Sequence, residues 1–134
     1  MTSLSTKLIQ SRFEQLEVGV LDNSTGLIWT RDNVPGGRMN WKDAQEACAK
    51  LTLGGFSDWR LPTIKELLTL VDYGRHAPAI DSVFNCESAW YWSSTPLASS
   101  PGDCAWYVYF KYGLAFWDSP NGYGFVRAVR VGQF

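Results

Sequence analysis

The run from Ala105 to Lys111 constrains this chain more than any other segment. Its side chains alternate strictly, Trp106, Val108 and Phe110 on one side and Tyr107, Tyr109 and Lys111 on the other. Only an extended strand has that period, because successive side chains of a strand point to opposite faces. A strand this rich in aromatics needs partners, and they follow at once. Tyr112-Gly113 reads as a turn into Leu114-Ala115-Phe116-Trp117, and Ser119-Pro120-Asn121-Gly122 as a second turn into a segment from Tyr123 to Val131. Ala89 to Ser94 supplies a strand ahead of them, joined by a loop over residues 95–103. The final third therefore reads as an antiparallel meander. Trp106, Val108 and Phe110 are expected to face the core, and Tyr107, Tyr109 and Lys111 to face outward.

The start of the chain carries the same kind of signal. A strand pattern begins near Phe13. Val18 and Val20 alternate up to the turn Asp22-Asn23-Ser24-Thr25-Gly26, and Leu27-Ile28-Trp29-Thr30 resumes it, which makes a β-hairpin. Two helices are expected between hairpin and meander. Asn40 can cap one from Trp41 to about Thr52, with Trp41, Ala44, Cys48 and Leu51 on a single stripe and Gly54-Gly55 to stop it. Thr63-Ile64-Lys65-Glu66 is a capping box for another over residues 64–72, with Ile64, Leu67, Leu68 and Val71 on one face. Residues 73–88 form a long connection. Strands segregated from helices define an α+β class, and the strand over 126–131 is expected near the first hairpin.

At 134 residues the chain is of single-domain length. Residues 1–11 read as an arm and 12–134 as the domain. The formal net charge of −1 and the absence of like-charge runs argue against nucleic acid as a partner. No apolar run approaches the roughly 20 residues that span a bilayer, so membrane insertion is not expected. Nor does the start carry a basic and then apolar secretory leader, which points to a cytoplasmic or virion-associated protein. Seven Trp, six Tyr and seven Phe make 15% of the chain aromatic, enough for a core and a contact surface.

Little in the sequence supports catalysis. His76 is the single histidine, and nothing near it in sequence supplies a nucleophile. Cys48, Cys86 and Cys104 match no CxxC motif. Cys48 falls on a helix face and reads as a buried thiol, whereas Cys86 and Cys104 flank a loop, with pairing left open. No cofactor is expected. Trp117-Asp118-Ser119-Pro120-Asn121 offers oxygen atoms but a single carboxylate, a poor calcium cage. Asp58, Arg60, Arg127 and Arg130 are read as structural, since an arginine near a fold closure is commonly tied to a carboxylate or a backbone carbonyl. The candidate contact surface is Tyr107, Tyr109, Lys111, Tyr112, Trp117, Asp118, Asn121 and Tyr123. A glycan or protein ligand is the expected partner, and the chain is compatible with a homo-oligomer.

Four segments occur in an order that resembles a known family. They are Asp22-Asn23-Ser24-Thr25-Gly26-Leu27-Ile28-Trp29, Gly55-Phe56-Ser57-Asp58-Trp59-Arg60-Leu61-Pro62-Thr63-Ile64-Lys65-Glu66-Leu67, Tyr91-Trp92-Ser93-Ser94-Thr95 and Val126-Arg127-Ala128-Val129-Arg130. Together they resemble the Lcl C-terminal-like domain family over roughly residues 16–133. The resemblance implies a C-type-lectin-like fold, with two helices on antiparallel sheets and the terminal strands brought together. It also implies a ligand-binding module of the kind used in bacterial adhesion or phage attachment, with the variable surface near residues 105–126. An intracellular module that binds and blocks a host factor is the alternative. Two departures stand out. Many relatives carry a leader or lipid anchor, and many carry a cysteine where this chain has Ala128, which removes the partner the resemblance implies for Cys48. The fold is similar as well to that of formylglycine-generating enzymes, but Cys86 and Cys104 do not lie in the context their chemistry needs.

Overall fold

The computed structural model describes residues 11–132. The arm expected over residues 1–11 lies, except for Ser11, outside the described residues. Nine elements follow: β1 (Phe13–Gln15), β2 (Val20–Asp22), β3 (Leu27–Trp29), α1 (Trp41–Ala49), α2 (Ile64–Leu68), β4 (Trp90–Pro96), β5 (Ala105–Tyr109), β6 (Leu114–Asp118) and β7 (Val129–Val131). They build two antiparallel sheets, one in the order β1-β2-β3-β7 and one in the order β4-β5-β6.

The expected hairpin is β2–β3, with Asp22 opposite Leu27. Both helix starts fall where their caps put them. The Asn40 side chain accepts from the Asp43 N–H, and Thr63 and Glu66 form the reciprocal capping box. Both helices end earlier than their apolar stripes. Leu51 N–H donates to Cys48 O, and Leu70 and Val71 donate to Leu67 O and Leu68 O, so each last turn tightens to i→i+3 bonding. The stripe of α1 holds: Ala44 and Cys48 are buried, and the half-buried Trp41 packs beside them while donating its indole N–H to Ser93 O at 2.8 Å.

The last strand differs from expectation. The meander ends at β6. Chain from Tyr123 onward crosses back instead of adding a fourth strand. Phe125 exchanges backbone bonds with Trp90 and Trp92 along β4, Val129 pairs with Arg60, and β7 then closes the first sheet on β3 with Trp29 opposite Val129. Residues 126–131 thus reach the first hairpin as anticipated, and this crossing ties the two sheets together.

Two apolar clusters lie on opposite sides of the sheets. One gathers Leu21, Ile28, Cys48, Trp59, Trp92 and Tyr107 on the α1 side. The other gathers Val20, Trp29, Leu67, Tyr91, Val108 and Phe110 on the α2 side. Neighbouring residues of one strand therefore serve different clusters, as Val20 and Leu21 do. Both faces of the central strands are covered, and this overturns the outward placement of Tyr107, which is 7% exposed. Trp106, expected in the core, is only half-buried.

Buried charge meets specific partners, although the Nε of Arg127 is left without one. Arg127 is fully enclosed, donating to the carbonyls of Thr30 (2.6 Å), Arg31 (2.8 Å) and Asn85 (2.6 Å) and lying over the rings of Phe84 and Tyr91. Arg130 pairs with Asp58 at 2.7 Å and lies 3.7 Å over the ring of Phe56. Arg60 holds Glu66 through two bonds of 2.7 and 2.8 Å. The charged residues of the most specific segments are thus committed to closing the fold, as the sequence reading expects.

Candidate functional site

Strand β6 is an edge. It is bonded to β5 on one side, with Ala105 opposite Asp118, Trp106 opposite Trp117, Tyr107 opposite Phe116 and Tyr109 opposite Leu114. Directly paired residues share a face. One face therefore carries Trp90 and Trp92 of β4, Tyr107 and Tyr109 of β5, and Leu114, Phe116 and Asp118 of β6. The α1-side cluster covers this face at Trp92 and Tyr107. It fades toward β6, where Leu114 and Phe116 stand 46% and 42% exposed.

Stacking continues across that gradient. Trp90 lies flat against Tyr107, with centroids 4.1 Å apart and planes 13° apart, and Tyr107 touches Phe116 at 6.1 Å. Tyr109 meets Tyr112 edge-on at 5.7 Å, and Lys111 Nζ stands 5.4 Å over the Tyr112 ring. The connecting turn depends on Gly113. Its φ of 76° is left-handed, and an added Cβ would come 2.6 Å from Val71 Cγ1.

Beside this face opens a cleft of about 440 Å³ whose walls include Arg38, Trp90, Tyr109, Asp118, Gly122 and Tyr123. Tyr123 is 63% exposed. Gly122 seats the Asp118 carboxylate, because a Cβ there would come 2.6 Å from Asp118 Oδ2. The ion pairs among the described residues engage Arg12, Arg60, Arg75 and Arg130. Arg38 and Asp118 stand outside all of them.

The eight sequence-derived candidates therefore separate. Tyr109, Asp118 and Tyr123 come together in the cleft. Lys111 and Tyr112 are exposed at the far end of the β5–β6 hairpin, and Asn121 is exposed in the turn after β6. Tyr107 lies on the same face but is buried, stacked on Trp90. Trp117 is 52% exposed but belongs to the reverse face, where it meets Trp106 edge-on at 5.1 Å. Its period-2 position relative to Asp118 requires that, so it does not share a surface with the cleft residues. Sequence reasoning missed Arg38 and Trp90. Trp90 was legible as strand but not as a cleft wall. Arg38 is brought in by the pairing of Met39 with Gly124, a long-range contact with no local signature.

Burial pushes the Cys48 thiol up to about 12 and raises that of Cys86 as well. Cys48, Cys86 and Cys104 are all free thiols, so the bridge left open between Cys86 and Cys104 is not formed. Cys86 and His76 line a separate cleft of about 580 Å³ along the 73–88 connection. Among the described residues, no three of His, Cys, Asp and Glu are grouped to hold a metal ion, and no helix is long and apolar enough to cross a membrane.

Two antiparallel sheets, two short capped helices and a covered core define a mixed α+β domain whose three-stranded sheet leaves aromatic side chains exposed. The family model of the Lcl C-terminal domain matches residues 19–130, and the chain belongs to that family. No curated protein matches the chain.

Proposed function

We propose that the protein is a non-enzymatic ligand-binding module with a C-type-lectin-like fold, and that it engages a glycan or a surface protein through the β5–β6 face and its adjoining cleft. Adhesion or phage attachment is the setting this reading favours. One observation carries it. Tyr123, 63% exposed, walls a cleft with Trp90, Tyr109 and Asp118, and Leu114 and Phe116, 46% and 42% exposed, stand on the sheet face that carries Trp90 and Tyr109. Isolated exposed apolar residues are ordinary, but a contiguous aromatic patch rimmed by polar groups is the usual anatomy of a recognition site. The aromatics give area with few rotors, and Arg38, Asp118 and Asn121 supply direction.

A second reading has support of its own. Among the described residues no strand lies beside the outer side of β6, and an unpaired edge offers backbone N–H and C=O groups to an extended peptide. That favours a protein ligand and keeps open an intracellular module that binds and blocks a host factor. A glycan array run beside a pull-down from host lysate separates the two. The test of the site is Tyr123→Ala with Tyr109→Ala. Loss of the captured ligand at an unchanged melting temperature supports the assignment, and full retention by both variants refutes it.

A further inference from the structure

The cleft has a chemical character beyond being aromatic. It holds one carboxylate, Asp118, and one guanidinium, Arg38, on the same walls as Trp90, Tyr109 and Tyr123. Neither charge is paired with the other or with any described residue. Opposite charges that line one cavity without meeting leave room for a ligand that bridges them. We propose that the cleft binds a small zwitterion of the phosphocholine type, with an alkylated ammonium among the aromatic rings beside Asp118 and an anionic group against Arg38. This rests on the reading of the cleft as the ligand site and names the ligand class it selects.

The ammonium end follows from the rings. A ring face attracts a cation through its quadrupole, and alkylated ammonium is favoured there because it is weakly hydrated and asks for few hydrogen bonds. The site offers Asp118 as its one carboxylate, positioned by Gly122. A primary ammonium would need more acceptors than that. The anionic end follows from Arg38, whose planar fork matches phosphate oxygens. An apolar ring with no donor in the same space would strip water from Asp118 and return nothing to it. A lone cation would leave Arg38 as a repulsive neighbour, and a lone anion would meet Asp118. The cleft, about 440 Å³, lies within the usual range for small-ligand sites.

The test is titration calorimetry of the full chain with phosphocholine, choline and inorganic phosphate. Phosphocholine should bind more tightly than choline, and choline more tightly than phosphate. Asp118→Asn should weaken phosphocholine and choline about tenfold each, as loss of a charge partner at an aromatic site commonly does. Arg38→Gln should weaken phosphocholine while choline binds at least as tightly as before, because the cation loses a repulsive neighbour. Gly122→Ala should reproduce the Asp118→Asn result by pushing its carboxylate aside, and serves if Asp118→Asn does not fold. Phosphatidylcholine vesicles separate the sources. Vesicle binding assigns the lipid headgroup, and binding of the free group alone assigns a soluble or glycan-borne one; both support the site. Absence of phosphocholine binding at millimolar concentration to the folded chain overturns the proposal, as does binding that ignores both charge variants. If a captured glycan or protein is still lost in Tyr123→Ala while phosphocholine does not bind, the zwitterion inference fails and the proposed function stands.

Discussion

Replacing Tyr107 with alanine removes the ring on which the open face rests. Tyr107 is 7% exposed, lies flat on Trp90 at 4.1 Å, and touches Trp92 and Phe116 at 6.2 and 6.1 Å. Trp92 beneath it is itself fully buried, held by an indole bond to Met39 O, so little nearby can collapse into the space. Truncating an aromatic at such a site costs about 3–5 kcal/mol, from lost transfer energy and the cavity left behind. A chain of this length loses roughly 3–5 °C of melting temperature per kcal/mol, so the melt should fall by roughly 10–25 °C. Total stabilities of small domains are about 5–15 kcal/mol, and the variant should still fold when cold. Tyr107→Phe keeps the stack and should stay within about 1 kcal/mol of the parent. Tyr123→Ala, at a 63% exposed position, should change stability by less than about 0.5 kcal/mol. Equilibrium urea unfolding of the three variants decides it. A Tyr107→Ala midpoint equal to the parent's, or a collapse in Tyr123→Ala, would refute the placement of the two faces.

Asn40→Ala and Thr63→Ala should each cost about 1 kcal/mol in urea melts through loss of a helix cap, with ligand capture unchanged. Glu66 is held below the usual carboxylate range by Arg60 and by the Thr63 N–H, so its contribution is complete at neutral pH and is lost as pH falls through its lowered value; Glu66→Gln should flatten the acid limb of a stability-against-pH profile. Asp22 behaves alike, since burial alone would raise its pKa but the bonds from Arg12 and Ser24 outweigh that and lower it. Cys48, pushed up to about 12 by burial, should resist thiol reagents at pH 8 until the chain is unfolded, as read by mass after timed labelling. Ligand capture should survive EDTA, and a loss restored by calcium alone would contradict the metal-free reading of the cleft.

The sequence carries its local rules openly. Asn40 and Thr63 announce their helices because capping is a contact across three residues. The alternation of β5 is equally local. Coverage is not. Period-2 spacing says that Tyr107 and Tyr109 share a face, but only the packing of α1 beneath Trp92 decides that one is buried and the other half-open. The same gap explains Trp117, which was grouped by nearness in sequence and lies on the reverse face. It explains the helix ends too, where apolar stripes run on into tightened turns. The cleft depends on the crossing of residues 123–126 between the sheets, and no spacing rule links Arg38 to Asp118. The buried arginines were readable because burying a charge forces a partner, and the carbonyls of Thr30, Arg31 and Asn85 supply it for Arg127.

The central claim, that ligands are held at the β5–β6 cleft, is tested most directly by following the indole N–H resonances as an array-selected ligand is titrated into the folded chain. Trp90 lines the cleft, whereas Trp59 is buried, is not among the cleft walls, and donates its indole N–H to Leu53 O. The account predicts that the Trp90 signal shifts in proportion to occupancy, that the Trp59 signal stays in place, and that Tyr123→Ala abolishes the shift. A titration that moves Trp59 and leaves Trp90 untouched would contradict it.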